Sequence, residues 1–216
     1  MFHPIDRAAW SREPWFVHYA QNVPCTYSLT ARLDVTAIQH TRTKLYPALL
    51  YLLTEAVNRF AAFRTAFNSE GVLGVYDNMH PSYTIFHRDT QTFSNLWTLW
   101  QPSYPQFLQA YLEDQARYGG QSVPFPKPGT PENTFPVSML PWTDFQGFNL
   151  NLQKGFDFLL PIFTLGKRTQ DATGRWSLPI AIQVHHAVCD GFHVSQFLDC
   201  LQQEADTFEK KVSVCL

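Results

Sequence analysis

The sequence predicts an α+β fold, a two-layer mixed β-sheet covered by helices, on three observations. Residues Cys25 to Val35 alternate cleanly between apolar and polar, as a half-buried strand does. The run after Pro47 is apolar around most of a helical circumference, which places it between layers. Strand and helix patterns then follow one another without strict βαβ order, which argues against a purely parallel sheet. The chain has 216 residues, the size of one large domain, so a single domain over 1–216 is expected.

Taken in order, Asp6 is placed to cap a first helix through Ala8, Trp10 and Arg12, with Pro14 making it start late or break. In the first strand Tyr27, Leu29, Ala31, Leu33 and Val35 form the apolar face. Pro47 suits the first turn of the helix ALLYLLTEAVNRF. Ala62–Phe67 and Val72–Tyr76 flank Asn68-Ser69-Glu70-Gly71, a hairpin signal, and Ser82–His87 reads as another strand. TFSNLWTLW from Thr92 reads as a capped helix and FLQAYLEDQARY from Phe107 as a longer one.

The proline- and glycine-rich segment Gly119–Pro136 is expected to be a long irregular loop, with Phe125 and Phe135 as pocket wall. Val137–Leu140, Phe145–Leu152, Pro161–Lys167 and Trp176–Val184 read as strands, the last two joined by the turn DATGR. After Asp190-Gly191, the residues Val194, Phe197, Leu198, Leu201, Ala205 and Phe208 recur at helical spacing.

Composition narrows the function. Charged residues are 16% of the chain and aromatics 15%, against roughly 25% charged in ordinary domains. Such a chain has more apolar surface than one core needs, which predicts subunit interfaces and an apolar ligand pocket. The net charge of −2, without basic clusters, argues against nucleic acid or an anionic membrane as partner. No signal-like start or membrane-length apolar run is present, so a cytoplasmic protein is expected. Cys25, Cys189, Cys200 and Cys215 form no CxxC pair and are expected to stay reduced.

The most informative stretch is VHHAVCDGFH, Val184–His193. Two histidines leave a strand, and an Asp-Gly turn precedes a helix, so an imidazole stands at an irregular junction where side chains are aimed into clefts. A neutral imidazole is suited to taking a proton from a hydroxyl or thiol, which makes His186 the candidate general base. A metal site is disfavoured: on a strand His185 and His186 point to opposite faces, and Gly191 divides the five possible ligands. Nothing marks Cys189 as an activated nucleophile.

HHAVCDGFH resembles the signature of chloramphenicol acetyltransferases, and its HHxxxDG core is shared with the acyltransferase domains of 2-oxo acid dehydrogenase complexes and with condensation domains. The resemblance extends through WSREPWF, CTYSLTARLDVT, LYPALL, HPSYTIFHRDTQTFSNLW, PWTDFQGFNLNL and PIFTLGK, in order along the whole chain. It implies direct transfer of acetyl from acetyl-CoA to the primary hydroxyl of chloramphenicol within a ternary complex, with no metal. By the same resemblance His186 is the base, Ser138 donates to the oxyanion, and Thr164 supports it through water. Asp190 and Arg12 form a buried pair fixing the histidine loop, and His185 and Cys189 only pack.

The resemblance further places Tyr19, Cys25, Phe93, Phe125 and Leu150 in the drug pocket, and Tyr46, Trp142 and Lys167 against coenzyme A. It implies a homotrimer with active sites at subunit interfaces. Arg168 departs from the family's usual aromatic after the lysine. Rival readings are a relative with another acceptor, such as dihydrolipoamide, and a binding protein without turnover.

Overall fold

The computed structural model describes residues 1–152 and 157–213. In chain order the elements are β1 (Phe2–Pro4), α1 (Glu13–Val17), β2 (Thr26–Asp34), α2 (Thr36–His40), α3 (Leu45–Arg59), β3 (Thr65–Phe67), β4 (Leu73–Tyr76), β5 (His80–His87), β6 (Thr92–Trp97), α4 (Tyr104–Tyr118), β7 (Thr134–Met139), β8 (Ile162–Leu165), β9 (Thr169–Gln170), β10 (Trp176–His185), α5 (Gly191–Asp206) and α6 (Phe208–Ser213). A seven-stranded mixed sheet runs β2-β10-β8-β7-β5-β6, with β9 beside β10, and a small antiparallel sheet runs β1-β4-β3. The β7 strand pairs parallel to both β5 and β8; the remaining pairs are antiparallel.

Strand β10 lies one strand in from the β2 edge, paired on both sides, and Leu178 to His185 are all buried. On one face of the sheet Tyr83, Val137, Phe163, Leu165, Ile180 and Ile182 meet the helices, and Phe163 and Phe63 stack on Phe197 of α5 with ring centroids 5.3 and 4.6 Å away. Helix α3, buried at ten of its fifteen positions, packs on α5 beneath this face, as its all-round apolar pattern predicts. The opposite face is polar: register aligns Ser82 and Thr84 of β5, Ser138 of β7, Thr164 of β8, Gln183 of β10 and Ser28 and Thr30 of β2 on it.

Several expectations are corrected. Thr92–Trp97 is a strand, because it pairs in register with β5 after a turn in which Gln91 takes φ 53°, and Ser94 and Leu96 alternate inward. Phe145–Leu152 forms no strand; it lies over the polar face, and the Leu150 N–H goes to the Gln183 side chain at 3.1 Å. The first helix starts only at Glu13, with Pro14 in its first turn, while Asp6 Oδ1 accepts from the Ala8 N–H in a separate turn. The loop after α4 ends at Thr134, where β7 begins. Asn68-Ser69-Glu70-Gly71 turns as expected, with Gly71 at φ 75°. Cys25, Cys189 and Cys200 are free thiols, and Cys215 lies outside the described residues. No helix among the described residues is long and apolar enough to cross a membrane.

One partly buried charge pair fastens the long loop. Lys127 Nζ lies 2.7 Å from Asp114 Oδ1, 3.0 Å from the Trp97 carbonyl and 3.6 Å from the Trp97 ring centroid. The two charged side chains are only 13% and 14% exposed. Removing one partner of such a pair leaves the other charge uncompensated, so Asp114→Ala is expected to cost about 3 kcal/mol. Urea unfolding at neutral pH checks this; a loss below about 1 kcal/mol would mean the pair behaves as a surface one.

Candidate active site

The backbone leaves β10 at His185 and turns before α5 begins at Gly191. This turn has carbonyls that no strand satisfies, and Arg12 satisfies them. Its Nε donates to the Ala187 carbonyl at 2.8 Å, Nη2 to the His186 carbonyl at 3.0 Å, and Nη1 to Asp190 Oδ2 at 3.0 Å. Asp190 is also the N-cap of α5 in a capping box with His193, whose Nδ1 lies 2.8 Å from Asp190 Oδ1. Burial alone would raise the Asp190 carboxyl, but the Arg12 hydrogen bond and His193 hold it below its ordinary value. The Arg12 and Asp190 side chains are 18% and 35% exposed, so the pair is less buried than the sequence suggested.

His186 is fixed on every side. Its N–H donates to the Cys25 carbonyl at 2.9 Å, and the Cys25 N–H in turn donates to the Tyr19 carbonyl at 3.3 Å. A π-helical turn, His18–Asn22, brings the Tyr19 ring parallel to the imidazole at 3.9 Å between centroids. Tyr27 meets the imidazole edge-on at 5.3 Å. Nδ1 is the buried ring nitrogen, and it has no hydrogen-bond partner among the described residues. Arg12, Tyr19, Cys25, His186 and Asp190 thus form one cluster, joined by Tyr27, which the sequence reading treated as a plain strand residue.

His185 and Cys189 pack as expected. His185 is 1% exposed and its Nδ1 accepts from the Ala187 N–H at 3.1 Å. Burial pushes the Cys189 thiol up to about 12, so it is protonated at neutral pH and no nucleophile. Among the described residues no three His, Cys, Asp or Glu side chains converge as metal ligands.

A second cluster lies elsewhere on the sheet. Strands β5 and β7 pair only as far as Tyr83 and Val137. Just beyond, Tyr46 reaches between them and its hydroxyl donates toward the Thr84 and Val137 carbonyls at 3.3 and 3.5 Å. Beside it is a cavity of about 380 Å³ lined by Tyr46, Thr84, Phe93, Ser138 and Trp142, and by Tyr111 and Gln115 of α4. Desolvation holds the Tyr46 phenol well above its ordinary value, so it remains neutral. Met139 and Pro141 are shared with a neighbouring recess of about 530 Å³ that carries Lys44, Lys167 and Arg168. Lys44 and Arg168 thereby join Lys167; the Lys-Arg doublet after β8 was the available signal.

The remaining candidates are placed as follows. Thr164 is 2% exposed and is the cross-strand partner of Ser138; it lines a small hollow with Leu150 and Gln183. Phe125 is 72% exposed on the loop and lines neither cavity. Ser138 and His186 do not meet. Ser138 is level with Thr164, and Thr164 with Ala181, five residues before His186 on β10. Two strand spacings and that length of strand separate the two residues by on the order of 15–20 Å. One chain does not bring the imidazole and the serine together.

Comparison with known proteins follows the same lines. The profile described as chloramphenicol acetyltransferase matches residues 1–202. A chloramphenicol acetyltransferase of Clostridium perfringens is 53% identical over 203 residues, 94% of this chain and 98% of its own. One of Campylobacter coli is 52% identical over 201 residues, covering 93% and 97%. Among solved structures a chloramphenicol acetyltransferase superposes with TM-score 0.81 at 20% identity, over 94% of this chain and 99% of its own. The cubic core of the pyruvate dehydrogenase multienzyme complex superposes with TM-score 0.63 at 15% identity, over 91% and 88%. At these identities the structures establish the fold.

The Asp190 carboxyl joins a cap to an ion pair, and the pH dependence follows from its lowered value. A carboxyl depressed in the folded state adds stability above its unfolded value, and loses it as pH falls through the folded one. Asp190→Ala is therefore expected to cost about 1–2 kcal/mol at neutral pH, the loss of an N-cap. The gap to the parent chain should close as the pH falls through and below about 4. Parallel urea titrations at neutral and acid pH read this, and a pH-independent gap would contradict it.

Proposed function

The chain belongs to the chloramphenicol acetyltransferase family, and from that membership we propose how it moves acetyl from acetyl-CoA to the primary hydroxyl of chloramphenicol. It is an acyltransferase, with the drug and acetyl-CoA as its two substrates. The observation that carries the mechanism is His186: both backbone groups engaged, the ring held flat against Tyr19, and Nδ1 buried. That leaves Nε2 as the nitrogen to face a substrate.

In this reading Nε2 of His186 takes the proton of the drug's primary hydroxyl as that oxygen bonds to the thioester carbonyl carbon. Ser138 Oγ donates a hydrogen bond to the carbonyl oxygen as it becomes an oxyanion, and Thr164 supports it through water. When the carbon–sulfur bond breaks, His186 returns the proton to the departing thiolate. The acetyl ester and free coenzyme A account for every atom, with no acyl-enzyme. Arg12 and Asp190 act on His186 as positioning residues.

Tyr19, Cys25, Phe93, Phe125 and Leu150 surround the drug, and Tyr46, Trp142 and Lys167 the coenzyme. The recess with Lys44, Lys167 and Arg168 fits phosphates, because three cations line it without a carboxylate. Residues 1–216 work as one catalytic domain, in the cytoplasm, with no metal.

The distance between Ser138 and His186 supports a site shared between copies of the chain. A base from one subunit faces the serine slot of the next, and three copies close into a ring. The exposed aromatics Phe86, Phe93, Phe125 and Trp142 and the polar sheet face suit that role.

Thiol release from acetyl-CoA should require chloramphenicol. His186→Ala should lower the rate at least about 10²-fold, and Ser138→Ala roughly 10²- to 10³-fold. Co-expression of the two inactive variants should restore part of the activity, because hybrid rings contain intact shared sites. A homotrimer by sedimentation is expected; a monomer, or no recovery in mixed rings, would refute the shared site.

A further inference from the structure

The loop after α4 holds one exposed aromatic on a backbone with little freedom. In VPFPKP, residues 123–128, each of Pro124, Pro126 and Pro128 fixes its own φ and keeps the residue before it extended. Phe125 and Lys127 are both held in this way. The Phe125 ring is 72% exposed, whereas the Lys127 side chain two residues on is only 13% exposed.

Two anchors flank that ring. On one side the Asn95 N–H of β6 donates to the Pro124 carbonyl at 2.8 Å, and Ser94 Oγ lies 2.6 Å from the Val123 carbonyl. On the other side Lys127 Nζ donates to the Trp97 carbonyl at 3.0 Å and to Asp114 Oδ1 at 2.7 Å. The second carboxylate oxygen is also engaged, since Thr98 Oγ1 donates to Asp114 Oδ2 at 2.8 Å. The ammonium thus ties the loop to both β6 and α4. A single anchor at Pro124 would let the segment pivot; the second, at Lys127, fixes its direction.

Register sets where the ring is held. Thr84 and Ser138 each follow the last paired residues of β5 and β7, and both line the serine cavity. Asn95 is the cross-strand partner of Thr84. Phe125 follows the residue bonded to Asn95, so it stands in the serine's row, two strand spacings or about 10 Å beyond Thr84. An exposed aromatic fixed in advance costs a ligand little to bind, because its ordering is already done.

We propose that Lys127 is a positioning residue for the acceptor: through its pair with Asp114 it holds Phe125 in place to meet chloramphenicol. This rests on the reaction proposed above, in which Phe125 borders the drug. Lys127 itself lies against the Trp97 ring, 3.6 Å from its centroid, so it acts through Phe125 and not on the drug.

The test uses Lys127→Met, which keeps an apolar stem and removes the charge, and Asp114→Asn, a milder change that keeps the shape of the other partner. Phe125→Ala and the double variant Phe125→Ala/Lys127→Met complete a cycle. KM for chloramphenicol should rise about 3- to 10-fold in each single variant. Both kcat and KM for acetyl-CoA should stay within about twofold, a split that general loosening of the fold would not give. The double variant should bind the drug no more weakly than Phe125→Ala, because the lysine acts through that ring. Calorimetric titration with chloramphenicol reads the same contact without turnover, and the single variants should bind it weaker by the same factor. Drug binding equal to the parent in both pair variants, or losses that multiply in the double variant, would overturn the inference. So would a Phe125→Ala protein that binds the drug like the parent. Parent protein that binds the drug but releases no thiol from acetyl-CoA would count against acetyl transfer instead, while the titrations still decide Lys127.

Discussion

The turn that carries His186 depends on Arg12. A chain leaving the buried end of β10 exposes carbonyls at His186 and Ala187 that have no partner in the sheet, and one guanidinium takes both while also pairing with Asp190. A planar fork of fixed donors serves this where a lysine ammonium could not. Because Arg12 immediately precedes α1, the same contact docks the N-terminal segment. That docking sets Tyr19 on the imidazole and Cys25 under its N–H. Orientation of the proposed base is therefore a tertiary property, assembled from the two ends of the chain.

The other half of the site follows from sheet geometry. Where a parallel pair stops at Tyr83 and Val137, the continuing strands need some other occupant of the gap. Tyr46 supplies a ring and a hydroxyl for their carbonyls. Ser138 is the first residue of β7 past that last pair, so its position is set by the parting of two strands. Its cross-strand partner Thr164 is held almost without exposure. Rigid strands on both sides hold the serine in a fixed aim, as its proposed part in stabilising a transition state would require.

The parts legible in the sequence are those decided by local pattern. Helix α3 follows its apolar circumference, α5 its capping aspartate and spacing, and β2 its alternation. Thr92–Trp97 was misread because a threonine before apolar residues is also a helix signal, and only pairing with β5 decides between the two. Phe145–Leu152 has strand composition, yet it crosses the polar face instead of pairing along an edge, and its Leu150 N–H goes to the Gln183 side chain. For the site, the histidine motif and the family resemblance supplied candidate residues, but not which of them lie together. That Ser138 stands far from His186, and that Gln115 faces a cavity, depends on register and helix rotation, which no local window contains. Gln115 in particular reads as an ordinary helix-surface residue.

Each half of the proposed site is thus ordered within its own chain. The imidazole is locked by Arg12, Tyr19 and Cys25, and the serine by the sheet. In a shared site the interface then has one task, to set the distance between two rigid pieces, and neither piece can adjust to a poor contact. A polar sheet face suits that task better than an apolar one. Apolar burial is non-directional and tolerates sliding, whereas hydroxyls such as those of Thr30 and Thr84, which are not fully buried on that face, are satisfied only in particular registers. In the proposed assembly the exposed aromatics would supply association and the polar row alignment. Under the proposed assembly the low charge content and the aromatic excess of the chain would have one cause: a surface divided between holding a neighbour and placing it.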